Sequence, residues 1–196
     1  MSRNHLLSQH FLKSPRLALF LIGHSNIKKR DQVLEIGAGS GVITSALSRR
    51  CREVVALEPD AKTAEKLREN LKKRNIKNVR VEETDFESFN LETLEAGYKI
   101  FSNPPFSLSS KILHALLASK NPPRSIYLIL QKQFALKLIP TDRHYTSKLG
   151  YALQEKYDIK IKYPLKPTDF TPPPAVPTVL LECKARILDE VRGKVE

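Results

Sequence analysis

A glycine-rich turn after a short apolar run is the first place where this sequence could do chemistry. Glu35 lies in that run, and Gly37, Gly39 and Gly41 follow at alternate positions before a helical pattern over residues 42–49. Glycine permits positive φ angles and close approach of the backbone to a ligand, and a helix start offers free N–H groups. The G-x-G-x-G spacing after an acid differs from the G-x-G-x-x-G fingerprint of dinucleotide sites. A carboxylate repels pyrophosphate, so we interpret the turn as a site for the cationic methionine end of S-adenosylmethionine (SAM). An ordinary glycine turn is the alternative.

Two further acids follow the next two apolar runs. Glu58 ends the run 54–57, where a carboxylate can accept both ribose hydroxyls of a cofactor. Asp85 comes after the run 79–81 and can accept a hydrogen bond from the cofactor's adenine amine. Each acid alone is compatible with a solvated charge at a strand end. Together with Glu35 and the glycine turn they favour a SAM site.

The tetrapeptide Asn103-Pro104-Pro105-Phe106 follows the apolar run 98–101. Two consecutive prolines fix the backbone, so that the Asn103 side-chain oxygen and the Pro104 carbonyl can together accept the two hydrogens of an exocyclic amine. Phe106 offers a ring on which a base can stack, worth roughly 1–3 kcal/mol per base. The sequence therefore predicts a pocket for an amino-bearing base here, and a simple loop stop is the alternative.

The elements that must position these residues alternate between two kinds. Short buried-strand patterns are separated by helical patterns, among them one with Ser14 as N-cap and Pro15 in the first turn. Alternating strands and helices predict an α/β, Rossmann-like fold, with a mostly parallel seven-stranded sheet and helices on both faces. The strand patterns cover residues 33–36, 54–57, 79–81, 98–101, 126–130 and 178–181; the other helical patterns lie at 61–71 and 112–117.

The segment 163–177 contains six prolines and predicts a stiff extended loop rather than a helix. It leads into a last strand over 178–183, which we expect to lie antiparallel at or near the sheet edge. Ligands of such sheets bind at the carboxyl ends of the strands, so the motifs described above would share one edge.

The chain of 196 residues has a formal net charge of +12, and the excess is unevenly distributed. Residues 1–30 hold six Lys and Arg and no acid, and residues 111–166 hold eleven against three acids. If the two segments meet, they form the basic face expected of a protein that binds phosphates; generic solubility charge is the alternative. The two distant cysteines, Cys51 and Cys183, favour a reducing cytoplasm over a disulfide framework or a zinc site. No apolar run is long enough to span a membrane.

The order of the motifs resembles that of the rRNA adenine dimethyltransferase superfamily. The sequence is similar to the Erm-type enzymes, which modify 23S rRNA, and more distantly to the KsgA-type enzymes, which modify 16S rRNA. The resemblance covers about residues 8–184, and its most specific parts are Q-x-F-L near the amino end and F-x-P-x-P-x-V before the last strand. The matching motifs are Ser8 to Leu12, Glu35 to Gly41, Glu58, Asp85, Asn103 to Phe106, Gln131 to Leu138 and Phe170 to Val176.

Three features depart from the family pattern. Q-N-F-L is Q-H-F-L here, which leaves His10 without an assigned role, and N-[LI]-P-[YF] is N-P-P-F, as in a short Erm subgroup. The family commonly carries a helical C-terminal domain, for which few residues remain. We expect a catalytic domain over residues 1–186 and a short tail over 187–196, in a naturally single-domain member; a shortened form of a longer chain is the alternative.

The resemblance implies a role for each matched position. Gln9 and Phe11 would close over the methionine end of SAM, and the three glycines, with Glu35, would line it. Glu58 would hold the ribose, Asp85 the cofactor adenine, and Asn103, Pro104 and Phe106 the target adenine, with Asn103 also bordering the cofactor. The resemblance gives no role to His5, His10 and His144, for which we expect surface positions or RNA contacts. The candidate RNA-binding residues are Lys13, Arg16, Lys28, Lys29, Arg30, Lys132, Lys137, Arg143 and Lys148.

The resemblance implies that the protein adds one or two methyl groups to N6 of an adenine in 23S rRNA and confers macrolide-type resistance. It would act as a cytoplasmic monomer without metal, on naked RNA or on an assembling large subunit. Three alternatives stay open: KsgA-type methylation of 16S rRNA, N6-methylation of DNA, and a nucleic-acid-binding module of this fold that has lost catalysis.

Overall fold

The protein is described by a computed structural model over residues 10–141 and 145–186. Within these residues, seven strands form one sheet. They are β2 (Gln32–Ile36), β3 (Glu53–Leu57), β4 (Val79–Glu82), β5 (Lys99–Ser102), β6 (Ser125–Gln131), β7 (Tyr157–Leu165) and β9 (Thr178–Ala185). Their spatial order is β4-β3-β2-β5-β6-β9-β7. The neighbours from β4 to β6 are parallel, while β9 runs antiparallel to both β6 and β7. The predicted fold class is confirmed.

The central strands β2 and β5 are buried along their whole length because helices cover both faces of the sheet. Successive side chains of a strand point to opposite faces, so Val33 and Leu34 of β2 belong to different hydrophobic clusters. The helices are α1 (Pro15–Gly23), α2 (Val42–Leu47), α3 (Ala61–Lys73), α4 (Ser109–Ala118), α5 (Lys132–Leu136) and α6 (Lys148–Lys156). The cluster that contains Val33 includes residues of α1, α2 and α3, and the cluster that contains Leu34 includes residues of α4 and α6.

Local sequence explains where two of these helices begin. The Ser14 hydroxyl accepts a hydrogen bond from the Leu17 N–H at 3.2 Å, and Pro15 occupies the first turn of α1 as expected. The Asp60 carboxylate accepts from the Thr63 N–H at 2.9 Å at the start of α3. Both caps follow directly from the sequence.

The edge strand β7 is absent from the sequence-based strand patterns. It carries Pro164 and pairs with β9 on one side only. An edge strand tolerates proline because one row of its backbone groups has no ladder partner. The proline-rich segment is therefore not all loop: it begins within β7, includes a short 3₁₀ turn at Pro167–Asp169 and leads into β9. The antiparallel last strand was predicted correctly, next to the edge.

Two very short strands form a separate ribbon. β1 (Phe11–Leu12) pairs antiparallel with β8 (Phe170–Thr171), so that Phe11 lies opposite Thr171. The Lys13 N–H extends the pairing with a hydrogen bond of 3.0 Å to the Asp169 carbonyl. The ribbon joins the Q-H-F-L motif to the proline-rich motif, although about 160 residues separate them.

No helix of the described ranges is long and apolar enough to cross a bilayer. Cys51 and Cys183 are buried free thiols. No cluster of metal-ligating side chains occurs among the residues that the structure describes.

Candidate active site

The glycine turn lies at the carboxyl end of β2. The Gly37 and Ala38 N–H groups both donate to the Leu57 carbonyl, at 2.9 and 3.0 Å, which ties the turn to the end of β3. Gly37, Gly39 and Gly41 all have positive φ angles, and Gly41 is the N-cap of α2. L side chains rarely adopt this conformation, which explains the glycine at alternate positions.

The Glu58 carboxylate forms a hydrogen bond with the same turn. One oxygen of its carboxylate accepts from the Gly39 N–H at 2.8 Å, and the other accepts from the Asp60 N–H at 3.1 Å. The side chain is buried, with 8% of its surface exposed. Each carboxylate oxygen has a second lone pair, so the predicted contact to ribose hydroxyls stays chemically available and stays a prediction.

Glu35 is a buried carboxyl group on β2, directly before the turn. Burial is the main cause that raises its pKa from 4.5 to about 8, the negative charge of Glu58 adds to the rise, and the nearby Thr44 opposes it. Its Oε2 atom is buried and has no hydrogen-bond partner among the described residues. Such a group is costly in an apolar setting and becomes favourable when a cation or a hydrogen-bond donor approaches it.

The N-P-P-F corner follows β5 and is tied to the glycine turn by the strand pairing. The Ser102 hydroxyl donates to the Ile36 carbonyl at 2.6 Å. A Cβ atom built on Gly37 would lie 3.7 Å from the Pro105 ring, so the turn and the corner are in direct proximity. The expectation that the glycine turn and the N-P-P-F corner share one edge of the sheet agrees with the structure.

The two polar atoms of the Asn103 side chain differ in their hydrogen bonding. Its Nδ2 donates to the His10 carbonyl at 2.7 Å, which fixes the orientation of the amide. Its Oδ1 is buried and has no partner among the described residues. An unpaired buried acceptor at a pocket wall is the feature expected of a group that binds an N–H donor on a ligand.

A small pocket brings the turn, the corner and the ribbon together. Phe11 of β1 covers it, and its ring lies so close to the turn that a Cβ atom on Gly39 would sit 3.0 Å from it. Of the predicted cofactor residues, the pocket contains Phe11, Glu35, Gly37 and Asn103. The complete lining is Phe11, Leu12, Glu35, Gly37, Ala38, Ser40, Val42, Ile43 and Asn103.

These residues fit SAM. Besides Asn103, the pocket is lined by Glu35, whose Oε2 has no partner among the described residues, and by small and apolar residues of the turn, α2 and the ribbon. A sulfonium and ammonium ligand would give the buried Glu35 carboxylate the positive neighbour that it lacks. SAM, when bound, supplies an electrophilic methyl group.

Asp85 lies outside this pocket lining. It is exposed and its Oδ1 accepts from the Ser88 N–H at 2.8 Å. It follows β4, beside the end of β3, where the Glu58 N–H donates to the Glu82 carbonyl at 3.0 Å. The role of Asp85 with the cofactor adenine therefore rests on its position at the carboxyl edge and stays a prediction. Gln9, His5, Arg143 and His144 lie outside the described residues.

His10 is the site residue that sequence reasoning missed. Besides accepting the Asn103 amide through its carbonyl, it lies with its ring centroid 5.3 Å from that of Phe106. Its Nδ1 is 2.8 Å from the Pro172 carbonyl oxygen. The departure from Q-N-F-L was a signal, but only the fold places this residue between two motifs.

The basic residues divide between the two edges that the strand ends form, which are the carboxyl edge with the pocket and the opposite, amino edge. Lys13 and Arg16 lie at the start of α1, beside the ribbon, while Lys132, Lys137 and Lys148 follow the carboxyl end of β6; all five are exposed. Lys13 and Lys132 both bond to the proline-rich segment through their backbone N–H groups, to Asp169 and Pro177. These two groups therefore border one segment near the pocket.

Lys28, Lys29 and Arg30 instead precede β2. Because β2 is parallel to its neighbours and the pocket lies at its carboxyl end, these three residues lie at the opposite edge of the sheet. They therefore lie apart from the other candidate cations, and their role in RNA binding stays a prediction. Sequence charge counts cannot tell the two ends of a strand apart.

A larger groove, of about 410 Å³, lies away from these motifs, between the end of α3 and the outer strand β4. Its lining combines the basic residues Arg68, Lys72 and Lys77 with apolar residues. It contains none of the predicted site residues. The smaller pocket at the glycine turn is the candidate site because it combines unpaired acceptors with the motifs.

Known proteins are similar to this chain in fold and in sequence. Solved structures that superpose well include a dimethyladenosine transferase from Plasmodium falciparum (TM-score 0.81, 24% identity, 90% of this chain and 64% of that one) and the 23S rRNA methyltransferase ErmE (TM-score 0.80, 22% identity, 90% and 70%). The fold is that of the class I SAM-dependent methyltransferases.

The sequence profile described as ribosomal RNA adenine dimethylase matches residues 1–191. The chain belongs to the ribosomal RNA adenine dimethylase family. Relatives include ribosomal RNA small subunit methyltransferase A of Desulforapulum autotrophicum (33% identity over 180 residues, 90% of this chain and 63% of the relative) and an rRNA adenine N-6-methyltransferase of Bacteroides fragilis (33% over 184 residues, 92% and 66%). The chain thus spans less than two thirds of the length of these curated relatives.

Proposed function

We propose that the protein transfers a methyl group from SAM to the exocyclic N6 of an adenine in ribosomal RNA. The observation that carries this proposal is the buried, unpaired Oδ1 of Asn103, which borders the same pocket as the glycine turn. Family membership supports it, because relatives of similar sequence are named as rRNA methyltransferases.

The chain's residues would act mainly by positioning. The amine nitrogen of adenine is a poor nucleophile because its lone pair is delocalised into the ring. Asn103 Oδ1 and the Pro104 carbonyl would accept its two N–H groups and favour a pyramidal nitrogen with its lone pair directed at the methyl group. Holding two reactants in this geometry accounts for several kcal/mol of a barrier, so no strong general base is needed. The proton can leave after transfer.

The target base must be unpaired or flipped out, and Phe106 would stack on it. Phe106 opens the 3₁₀ turn Phe106–Leu108 directly after the corner and is half-buried, so part of its ring is accessible. Phe11, which is 44% exposed over the turn, would cover the cofactor end.

Asn103→Ala tests the proposal. We expect loss of methyl transfer from labelled SAM to rRNA with little change in SAM affinity by calorimetry, because the proposal gives the side-chain oxygen to the base. Asn121→Ala is the matched control: its Nδ2 donates to the Leu91 and Leu94 carbonyls far from the pocket, and we expect it to keep activity. Full methylation by Asn103→Ala would contradict the proposal. Absence of SAM binding by the unaltered chain would favour the alternative of a non-catalytic RNA-binding module.

Two ribosomal RNAs are candidate substrates. The small-subunit RNA is favoured by the relative from Desulforapulum autotrophicum, a small subunit methyltransferase, and this similarity supports the KsgA-type alternative more than the Erm-type interpretation. The large-subunit RNA is favoured by the N-P-P-F motif and its resemblance to short Erm enzymes. Both use the same pocket chemistry.

The choice between them is measurable with separated 30S and 50S particles, naked 16S and 23S transcripts and a DNA duplex as acceptors of the label. Label in 16S or 30S alone would reject the large-subunit candidate, and label in 23S would reject the small-subunit one; label in DNA alone would reject both. If 23S is the substrate, expression in a sensitive host is expected to raise erythromycin tolerance, because methylation removes N–H donors and adds bulk at the drug site.

A further inference from the structure

His10 contacts three parts of the candidate site at once. Its backbone carbonyl accepts the Asn103 amide at 2.7 Å, its ring lies beside Phe106 with centroids 5.3 Å apart and planes inclined by 32°, and its Nδ1 is 2.8 Å from the Pro172 carbonyl oxygen. The ring is therefore held from two sides, by Phe106 and by the proline-rich segment.

The chemistry of the partner fixes the tautomer. A carbonyl oxygen only accepts, so Nδ1 must carry the hydrogen and donate to Pro172. This hydrogen bond restricts rotation of the His10 imidazole ring, so Phe106 packs against a ring of fixed orientation. Tilted aromatic pairs with centroids 4.5–7 Å apart are favourable beyond their buried area.

We propose that His10 is a positioning residue for the target base: it anchors the ring of Phe106 to the proline-rich segment through the hydrogen bond to Pro172. The inference deepens the proposed function and rests on it, since Phe106 is the ring on which that base stacks. His10 acts through Phe106 and does not itself touch the reacting atoms.

Three substitutions separate the contacts. His10→Asn keeps a donor N–H at the same number of bonds from the backbone but loses the ring, while His10→Phe keeps an aromatic ring but loses the donor. His10→Ala loses both. The carbonyl that accepts the Asn103 amide is backbone and is retained in every variant, so SAM affinity is expected to stay within about twofold.

A matched control exists in the same chain. His24 also donates through Nδ1 to a carbonyl, that of Phe20 at 2.9 Å, and its ring lies 4.4 Å from the Phe20 ring. It lies at the far end of α1, away from the pocket. His24→Ala therefore removes the same kinds of contact without touching the site.

The measurement is steady-state methylation of 16S and 23S transcripts, with SAM affinity by calorimetry and thermal unfolding recorded in parallel. We expect His10→Ala to raise the KM for the accepting RNA about tenfold, in line with the loss of a stacking platform. We expect smaller rises for His10→Asn and His10→Phe, and none for His24→Ala.

A second arm separates positioning from a general loss of stability. In a Phe106→Ala background, His10→Asn should change the KM for RNA less than twofold, because the ring that it positions is gone. Additive effects of the two substitutions would overturn the inference, as would an unchanged KM in His10→Ala or a change in thermal stability alone. Unaltered protein that methylates neither transcript would refute the proposed function itself, whereas active protein with silent His10 variants would refute only this inference.

Discussion

At the scale of single residues, the site depends on one buried acid and one glycine. Glu35 is buried and has an oxygen without a partner among the described residues, which is unfavourable for stability. Gly39 adopts a positive φ angle, which glycine does without strain, and leaves room for the Phe11 ring beside it. The effects of both residues are measurable.

The ionisation of Glu35 is expected to make the stability of the protein depend on pH. Its pKa is raised from 4.5 to about 8, mainly by burial, so between these values the folded chain holds a proton that the unfolded chain releases. The contribution of this group to the free energy of unfolding is therefore complete at low pH and falls as pH rises towards 8, by at most about 1.4 kcal/mol per pH unit. Glu35→Gln removes this titration.

Urea unfolding at a series of pH values checks this prediction. The free energy of unfolding of Glu35→Gln, relative to that of the unaltered protein, should increase from about pH 5 to about pH 8. Glu65→Gln, which removes an exposed carboxylate from α3, controls for the change in net charge. Parallel pH profiles for Glu35→Gln and the unaltered protein would show that Glu35 is not held protonated.

Gly39→Ala is expected to weaken SAM binding as well as stability. The new Cβ would lie 3.0 Å from the Phe11 ring and would push that ring off the turn. Gly97→Ala isolates the backbone cost, because Gly97 also has a positive φ angle but has open space around it. We expect both variants to lose roughly 1–2 kcal/mol of stability and only Gly39→Ala to lose SAM affinity in calorimetry. Equal SAM affinities would mean that Phe11 does not cover the cofactor.

At the scale of elements, helix packing overrides local propensity in α6. Gly150 is the third residue of this helix, and alanine favours a helix over glycine by up to about 1 kcal/mol. A Cβ atom there, however, would lie 2.7 Å from the Lys137 carbonyl oxygen, which belongs to the backbone following α5. The glycine allows the two helices to approach closely.

Gly150→Ala is therefore expected to destabilise the protein by about 1–3 kcal/mol, as overpacking does. Gly23→Ala, at the end of α1 with nothing within 4 Å of the new Cβ, should be neutral or slightly stabilising. Chemical unfolding of both variants decides the matter, and a stabilised Gly150→Ala would mean that α6 can move away from Lys137 at no cost.

The elements also show where sequence patterns succeed and fail. Continuous apolar runs such as 126–130 identify central strands because both faces of the sheet are covered. The edge strand β7 alternates charged and apolar residues and contains Pro164, a pattern that only its position at the edge makes compatible with a strand. The two-residue strands β1 and β8 are too short for any periodicity.

At the scale of the whole molecule, the basic charge is distributed over two opposite edges. Lys132, Lys137 and Lys148 are on the edge that carries the pocket, and Lys28, Lys29 and Arg30 are on the other. Neutralising either group to Gln removes three positive charges, so the two triple variants form a matched pair.

We expect the pocket-edge triple variant to bind rRNA more weakly and with a flatter dependence on salt, by about 0.7–0.9 in the log–log slope for each lost phosphate contact. The opposite-edge triple variant should retain nearly the original slope, and both should keep SAM affinity. Filter binding of an rRNA transcript at several salt concentrations provides the measurement. Identical slopes for the two variants would mean that the RNA responds to net charge rather than to one edge.

The sequence by itself determined six strands of the seven-stranded sheet, the glycine turn, the N-P-P-F corner and the family resemblance, because these depend on local conformational rules and short spacings. The tertiary structure alone decided which distant segments meet: the pairing of β1 with β8, the placing of His10 between Phe106 and Pro172, and the separation of the basic groups. The physical reason is that contacts across the fold depend on strand order and on helix packing, which no short window of residues encodes.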